Sequence, residues 1–360
     1  MPRSKISSFF IAAAVILAAY GLLRFPQEVS QAILEGMALC ANTLLPSLFP
    51  FFVLSSVVIK SGLSQQLGQK LAPVMGPLFH LPGSCACALV LGLIGGYPTG
   101  ARTAATLYKE GQCTRKEAQQ LLSFCCACSP AFLLGAVGTG AFGSTRCGLL
   151  LLGTHWASAL LVGLLLNRGS PVPEQSSDTF PSKSQPIILA LTDSIKESLR
   201  NLLDLFSFVL CFSALGRLLA LTRLPEQLAA LLLPSLSGDN GVVFLNGLLD
   251  MPRCVTMLSD GNITERLILS AALLAWGGVS IHFQIVAILQ EYGLSPVSYL
   301  QGKLLHSIIC AILTATVLGI IAPTPLLFTC GILFILFLLK KEVTKPRKTL
   351  YNEDSKQREL

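Results

Sequence analysis

Leu93-Ile94-Gly95-Gly96-Tyr97-Pro98-Thr99-Gly100-Ala101 decides how the rest of this chain is read. It closes a window, residues 71–101, that contains no Asp, Glu, Lys or Arg. A helix crosses a bilayer core with about 20 apolar residues, and this window is longer than that. Its far end nevertheless carries Gly95, Gly96, Pro98 and Gly100. Glycine loosens a helix interior, and proline removes a backbone donor. The stretch therefore reads as a broken membrane segment. Non-helical backbone at membrane depth survives only where protein or a water-filled cavity satisfies its polar groups.

Working outward, charge-free windows also cover 6–23, 36–59, 118–145, 147–167, 267–290 and 304–339. Hydrophobic residues make up 52% of the 360 and charged residues only 12%, against roughly a quarter charged in an ordinary soluble domain. The lipid bilayer is the expected surroundings. The net charge of +7 forms no basic stripe with interleaved aromatics, so no nucleic-acid partner is expected. Positive charges sit at segment ends, and Lys340, Lys341, Lys345, Arg347, Lys348, Lys356 and Arg358 crowd the tail. Excess Lys and Arg mark cytoplasmic segments, which places the tail, and the start with Arg3 and Lys5, in the cytoplasm. The 6–23 run leads into Arg24-Phe25-Pro26 with no small-x-small cleavage site, so it reads as a retained helix.

Twelve cysteines suggest a metal or disulfide framework, but most fall inside apolar runs, where cysteine acts as a small hydrophobe. The cluster Cys125-Cys126-Ala127-Cys128 has no second ligand cluster at zinc spacing. No metal and no organic cofactor are expected.

Two halves resemble each other across a polar linker at 168–186. Glu110-Gly111-Gln112-Cys113-Thr114 has a counterpart in Asp260-Gly261-Asn262-Ile263-Thr264, and Gly92–Pro98 in Gly247–Pro252. Ser129 and Ser280 follow the two turns at nearly the same count, and Glu35 and Asn42 match Glu197 and Asp204. Duplicated halves with interrupted helices mark secondary transporters. The expected fold is an all-α polytopic membrane protein of about eight to ten helical segments. They are arranged as two related, inverted repeats with broken helices and re-entrant hairpins. The expected divisions are an N-terminal transmembrane helix (1–27), a first repeat (28–167), the linker (168–186), a second repeat (187–322), and a last hydrophobic segment with a basic cytoplasmic tail (323–360). Four breaks, near 95–100, 128–131, 250–253 and 277–281, are expected to converge on one site.

After the first break, Thr99, Arg102, Thr103 and Thr106 follow i, i+3, i+4, i+7 spacing, which puts a cation and three hydroxyls on one helical face. A helix starting at the break also points its positive end the same way. Such a face suits a small organic anion; it equally suits an interfacial helix with a snorkelling arginine. Arg253, after Pro252, is the corresponding cation of the second half. Ser280, His282 and Gln284 follow the last break amid apolar residues. If extended, all three point one way; if helical, Ser280 and Gln284 share a face and His282 does not. An intramembrane imidazole can bind a carboxylate, relay a proton, or pack against a neighbouring helix. Lys303 and His306, three apart, are weaker candidates on the next helix. The expected substrate-binding set is Gly96, Thr99, Gly100, Arg102, Thr103, Ser129, Arg253, Gly278, Ser280, His282 and Gln284, with no catalytic residue. No phosphate-binding Gly-rich loop, His-Glu-x-x-His or Gly-x-Ser-x-Gly occurs, so a secondary transporter rather than an ATP-driven pump or an enzyme is expected.

Gly96–Ala101, Leu107-Tyr108-Lys109-Glu110-Gly111, Ser129-Pro130-x-Phe132 and Gly135-x-x-Gly138 resemble the first gate repeat of the sporulation membrane protein YlbJ family, also called SpoVV. Trp276-Gly277-Gly278-Val279-Ser280-Ile281-His282-x-Gln284 resembles the second. That family belongs to the nucleoside-recognition, or Gate, group, distantly similar to concentrative nucleoside transporters. The resemblance implies a transporter in the outer forespore membrane, with dipicolinic acid as cargo; the sequence leaves the coupling ion, H+ or Na+, open. The chain departs from the family where Asn, Ser or Gly is expected before Ser129-Pro130 and Cys125, Cys126 and Cys128 stand instead; those cysteines are left out of the expected site. Two other readings stay open, a nucleoside carrier and a membrane scaffold for spore envelope assembly.

Overall fold

The charge-poor windows become helices, and the glycines and prolines inside them become helix ends. The structure is a computed structural model and describes residues 3–168, 185–236, 239–251 and 262–320. Arg253, most of the polar linker, and the last hydrophobic segment with its basic tail lie outside the described residues. Among the described residues there are fourteen α-helices and no strand. The first half contains α1 (Arg3–Arg24), α2 (Pro26–Leu39), α3 (Leu45–Lys60), α4 (Leu63–Phe79), α5 (Ala86–Gly95), α6 (Tyr97–Lys109), α7 (Arg115–Leu122) and α8 (Thr145–Asn167). The second contains α9 (Ile187–Leu221), α10 (Leu224–Leu232), α11 (Asn240–Leu249), α12 (Ile263–Trp276), α13 (Val279–Glu291) and α14 (Val297–Val317).

This is an all-α integral membrane protein. Four stretches are long and apolar enough to cross a bilayer: α8, α9, the α12–α13 pair and α14. A fifth arises if Gln66–Phe79 and Gly83–Gly95, bent by 96°, count as one broken span. Helices outnumber the expected eight to ten segments because the breaks cut windows into half-helices. α5, α6, α12 and α13 have 10, 13, 14 and 13 residues, too short to cross about 30 Å singly at 1.5 Å per residue. At the other extreme, α9 has 35 residues, and its Ile188, Leu189, Leu199 and Leu203 are exposed. In water that face would be a liability; against acyl chains it is the expected surface.

The breaks are narrower than the sequence suggests. The first shrinks to Gly96, because Pro98 occupies the first turn of α6, where a missing N–H costs no helical bond. The last shrinks to Gly277-Gly278, both with positive φ. Among the described residues of the breaks, the chain stays irregular for several residues only between α7 and Pro130, and it then enters a π-helix, Phe132–Ala141. The matched serines therefore lead into unlike elements, a π-helix after Ser129 and α13 after Ser280. Both matched turns end in helix caps. Thr114 and Glu117 form a capping box on α7, and Asn262 accepts from Thr264 N–H at the start of α12.

Around these elements α14 packs between α8 and α12, α9 lies against α2 and α3, and α6 meets α5 and α13. The helix surfaces that meet are made of small residues, including Ala101, Ala104 and Ala105 on α6 and Ala271 and Ala275 on α12, all buried. Small side chains let backbones approach, which is how membrane helices gain packing without a hydrophobic drive. Cys85, Cys87, Cys125, Cys126, Cys128 and Cys310 are buried free thiols in the same core.

Candidate functional site

As far as they are described, the four breaks meet. A Cβ on Gly96 would lie 3.5 Å from Ser129 Cβ, joining the first break to the second. The Tyr97 hydroxyl donates to the Leu274 carbonyl near the end of α12, and a Cβ on Gly277 would lie 3.6 Å from the Tyr97 ring. A Cβ on Gly278 would lie 3.0 Å from Met251 N and 3.2 Å from the Leu249 carbonyl, joining the third break to the fourth. Trp276 Nε1–H reaches the Leu248 carbonyl at 3.2 Å. Side chains from one break thus satisfy carbonyls beside another, since irregular backbone inside a membrane needs protein partners.

Between them lies a cavity of about 170 Å³ whose wall includes Gly96, Tyr97, Pro98, Cys128, Ser129, Asp250, Met251, Ser280, Ile281 and Gln284. Leu39, Leu44, Leu48, Phe132, Leu205 and Val209 close its apolar side. The first helical hydrogen bonds of α6 and α13 are Gly100 N–H to Gly96 O and His282 N–H to Gly278 O, each 3.1 Å. The N–H groups before those bonds have no partner within their helices. Two positive helix ends therefore face one space, the arrangement that favours an anionic ligand.

A second cavity, about 280 Å³, shares Pro98, Leu205 and Gln284 with the first. Arg102, Asn201, Asp204, Ser207 and Glu291 make it polar. Arg102 Nη1 stands 3.6 Å from Glu291 Oε2, with side-chain exposures of 11% and 58%. Arg102 Nε is buried and has no hydrogen-bond partner among the described residues. The guanidinium is thus held at a cavity wall with a donor to spare, its one carboxylate partner being largely solvated.

The expected site residues separate into groups. Gly96, Ser129, Ser280 and Gln284 line the first cavity, Gln284 lines both, and Arg102 lines the second. Because α13 is helical from Val279, Ser280 and Gln284 share the cavity-facing side, whereas His282 turns away. His282 packs against Trp276 and Tyr299, with Nδ1 2.9 Å from the Tyr299 hydroxyl. Thr99 and Thr103 do not reach either cavity. Their hydroxyls donate to the Gly95 and Thr99 carbonyls at 3.1 and 2.7 Å, which is the usual way a mid-helix threonine satisfies itself. Gly100 is a packing residue, since a Cβ there would overlap the Cys125 carbonyl oxygen. Gly278 holds the approach to Met251. Among the lining residues left out of the expected set, Tyr97, Cys128 and Asp250 carry polar groups, and Asp250 is a carboxylate at the end of an apolar run, which is a signal visible in the sequence.

Behind the cavity wall a polar stripe runs along the inner face of α14. Tyr299, Lys303, His306, Cys310 and Thr314 are spaced 4, 3, 4 and 4 residues apart, and each is at most 2% exposed. Lys303 Nζ donates to the Cys126 carbonyl at 3.1 Å, lies 3.2 Å from His306 Nδ1, and sits 4.8 Å from the centre of the Tyr97 ring. His306 Nε2 is 3.0 Å from the His155 carbonyl, and His155 Nε2 accepts from Cys128 N–H at 2.9 Å. Thr314 donates to Thr154 at 3.1 Å. Among the described residues no three His, Cys, Asp or Glu side chains come together to hold a metal ion.

Residues 41–145 match the family model described as Gate, nucleoside recognition. That range holds the first break, Ser129 and the π-helix. Over 338 residues the chain is 28% identical to the sporulation integral membrane protein YlbJ of Bacillus subtilis strain 168, covering 87% of this chain and 83% of that protein. The likeness read from the break motifs is thus borne out. No solved structure matches the chain significantly.

Proposed function

We propose that the protein is a secondary transporter of a small organic anion during sporulation, with dipicolinate as the substrate and the outer forespore membrane as its place. The observation that carries this reading is the pair of half-helices, α6 and α13, that start at glycine breaks and bring their N-termini to one cavity. Dipicolinate is a flat pyridine with two carboxylates. One carboxylate is matched by the helix N-termini with Ser280 and Gln284, and the other by Arg102 from the adjoining cavity. Charge-assisted hydrogen bonds to a guanidinium and to free N–H groups are the strong ones. The flat ring fits between Tyr97 and the Leu39, Leu44 and Leu48 side. Transport requires that the broken segments shift so that the cavity opens to one face of the membrane and then the other, as interrupted helices do in other carriers. Likeness to a sporulation membrane protein supplies the setting.

The test is binding of labelled dipicolinate to the detergent-solubilised chain in calcium-free buffer. Saturable binding that falls at least about tenfold in Arg102→Ala is expected from loss of one charged contact; no saturable binding would overturn the substrate assignment. A second reading, a nucleoside carrier, is favoured by the family description and by Asp250 on the cavity wall, since a carboxylate accepts from ribose hydroxyls and repels a dianion. Displacement of dipicolinate by uridine at equal concentration would move the assignment to nucleosides.

A further inference from the structure

We propose that Lys303 and His306 form a proton-binding site inside the membrane domain, and that its proton is the ion coupled to transport. The inference rests on the transporter reading for its coupling role, while the site itself stands on the α14 stripe. A lysine in a membrane helix ordinarily snorkels to the interface. Lys303 instead points inward and is 1% exposed.

Its partners are all formally neutral: the Cys126 carbonyl, the His306 imidazole and the Tyr97 ring. The titratable groups facing it are Tyr97 from α6, Cys125, Cys126 and Cys128 from the irregular segment after α7, His155 from α8, and Tyr299, His306 and Cys310 from α14 itself. His282 of α13 reaches the same stripe through Tyr299. No carboxylate is in this set, and the ion pairs Lys60–Glu197 and Arg102–Glu291 lie elsewhere. A permanent charge with no counter-charge is costly in such a place, and intramembrane lysines and histidines are characteristic of proton relays.

The hydrogen bonds define the two states. With Lys303 as ammonium, Nζ–H donates to the lone pair of His306 Nδ1, and His306 Nε2–H donates to the His155 carbonyl. When the proton crosses, the Nζ–H bond breaks and an Nδ1–H bond forms, leaving an amine and an imidazolium with the same total charge. Loss of that one proton from either state leaves the site neutral. His155 holds the arrangement to the cavity, because its Nε2 receives the N–H of Cys128, a wall residue, and Tyr97, whose ring Lys303 approaches, is a wall residue too. A substrate carboxylate entering the cavity adds negative charge to that of Asp250 on its wall and so favours the protonated site. Anion and proton therefore favour each other's binding, which is the coupling a symporter needs.

The first arm of the test uses no substrate. Protons taken up by the solubilised full-length chain between about pH 8 and about pH 6 are counted with an indicator dye. The wild type is expected to take up about one proton more per chain than Lys303→Met, since the pair titrates as a unit. Lys303→Arg preserves the charge and size needed for folding but holds its proton throughout, so it should show the same deficit. Equal counts in wild type and Lys303→Arg would overturn the proposal. The second arm follows lumenal pH in pyranine-loaded vesicles during dipicolinate uptake. Wild-type uptake should acidify the lumen, and Lys303→Arg should exchange dipicolinate without acidification. Wild-type uptake with no pH change, or driven by sodium, would sink the coupling role. Absence of any dipicolinate movement would count against the substrate assignment alone, because the dye count stands without it.

Discussion

α6 and α13 begin in the same way and are held in different ways. Each has 13 residues, and each starts after a glycine in a conformation almost closed to other residues, Gly96 at φ 101°, ψ 178° and Gly278 at φ 84°, ψ 156°. Each turns its N-terminus to the same cavity. α6 is fixed mainly by backbone: Gly92 and Gly100 both let the Cys125 carbonyl come where a Cβ would otherwise be. α13 has one looser backbone approach, of Gly278 to Met251 and Leu249, and beyond it is held by side chains, through His282 against Trp276 and Tyr299. Backbone contacts have no room to adjust, whereas side-chain contacts can be remade. α13 is therefore the half better suited to move in a transport cycle and α6 the half better suited to stay.

The largest expected effect breaks the α6 side. Gly100→Ala drives a methyl into the Cys125 carbonyl and should cost about 3 kcal/mol or more, at or beyond the upper end for overpacking. Thermal unfolding in detergent should show a large fall in midpoint or no folded protein. Gly277→Ala is the contrast. Its nearest atoms are 3.6 Å away, so only the positive φ of 93° opposes it, at about 1–2 kcal/mol. If Gly277→Ala proves the more damaging change, the assignment of rigid and adaptable halves is reversed.

Next comes Arg102, the cation that only the described part of the first half contributes. Arg102→Ala should lower uptake at limiting substrate about 10- to 100-fold, and Arg102→Lys less, because lysine keeps the charge without the bidentate fork. Unchanged uptake in the alanine variant would make Arg102 an interfacial residue. Smaller effects separate two neighbours on α13. Gln284→Ala should weaken substrate affinity about 5- to 10-fold. His282→Gln should leave affinity within about threefold and lower stability by about 1 kcal/mol through the Tyr299 contact. The reverse order would place His282 at the ligand. Smallest is Glu291→Gln. Its pair with Arg102 is largely solvated and worth about 1 kcal/mol at most, so uptake should stay within about twofold.

These contrasts also show what could be read in the sequence. Gly96, Pro98, Gly277 and Gly278 announce helix ends by local chemistry alone, so the breaks were legible, and their convergence was expected from their matched positions and from the need to satisfy non-helical backbone inside a membrane. The i, i+2, i+4 spacing of Ser280, His282 and Gln284 posed a choice that the helical start at Val279 decides. What local spacing does not carry is which partner a side chain finds. Thr99 and Thr103 share a face with Arg102, yet their acceptors are carbonyls four residues back along the chain, Gly95 at the end of α5 and Thr99 in α6. Arg102 meets Glu291, 189 residues away in the sequence. His155 sits in the apolar run of α8 with no local hint of Cys128 or His306. Of the α14 stripe only Lys303 and His306 were read in the sequence, as an i, i+3 pair at the edge of the charge-free window 304–339; Tyr299, Cys310 and Thr314 join them only once the helix is seen.

The most direct test of the shared cavity is uptake of labelled dipicolinate into proteoliposomes by the wild type and by a Ser280→Ala/Gln284→Ala double variant. Saturable uptake is expected in the wild type, competed by other aromatic dicarboxylates and not by uridine. It should fall at least about tenfold in the double variant, from the loss of two hydrogen bonds. Uptake no faster than in protein-free vesicles, or equally fast in wild type and double variant, would contradict it.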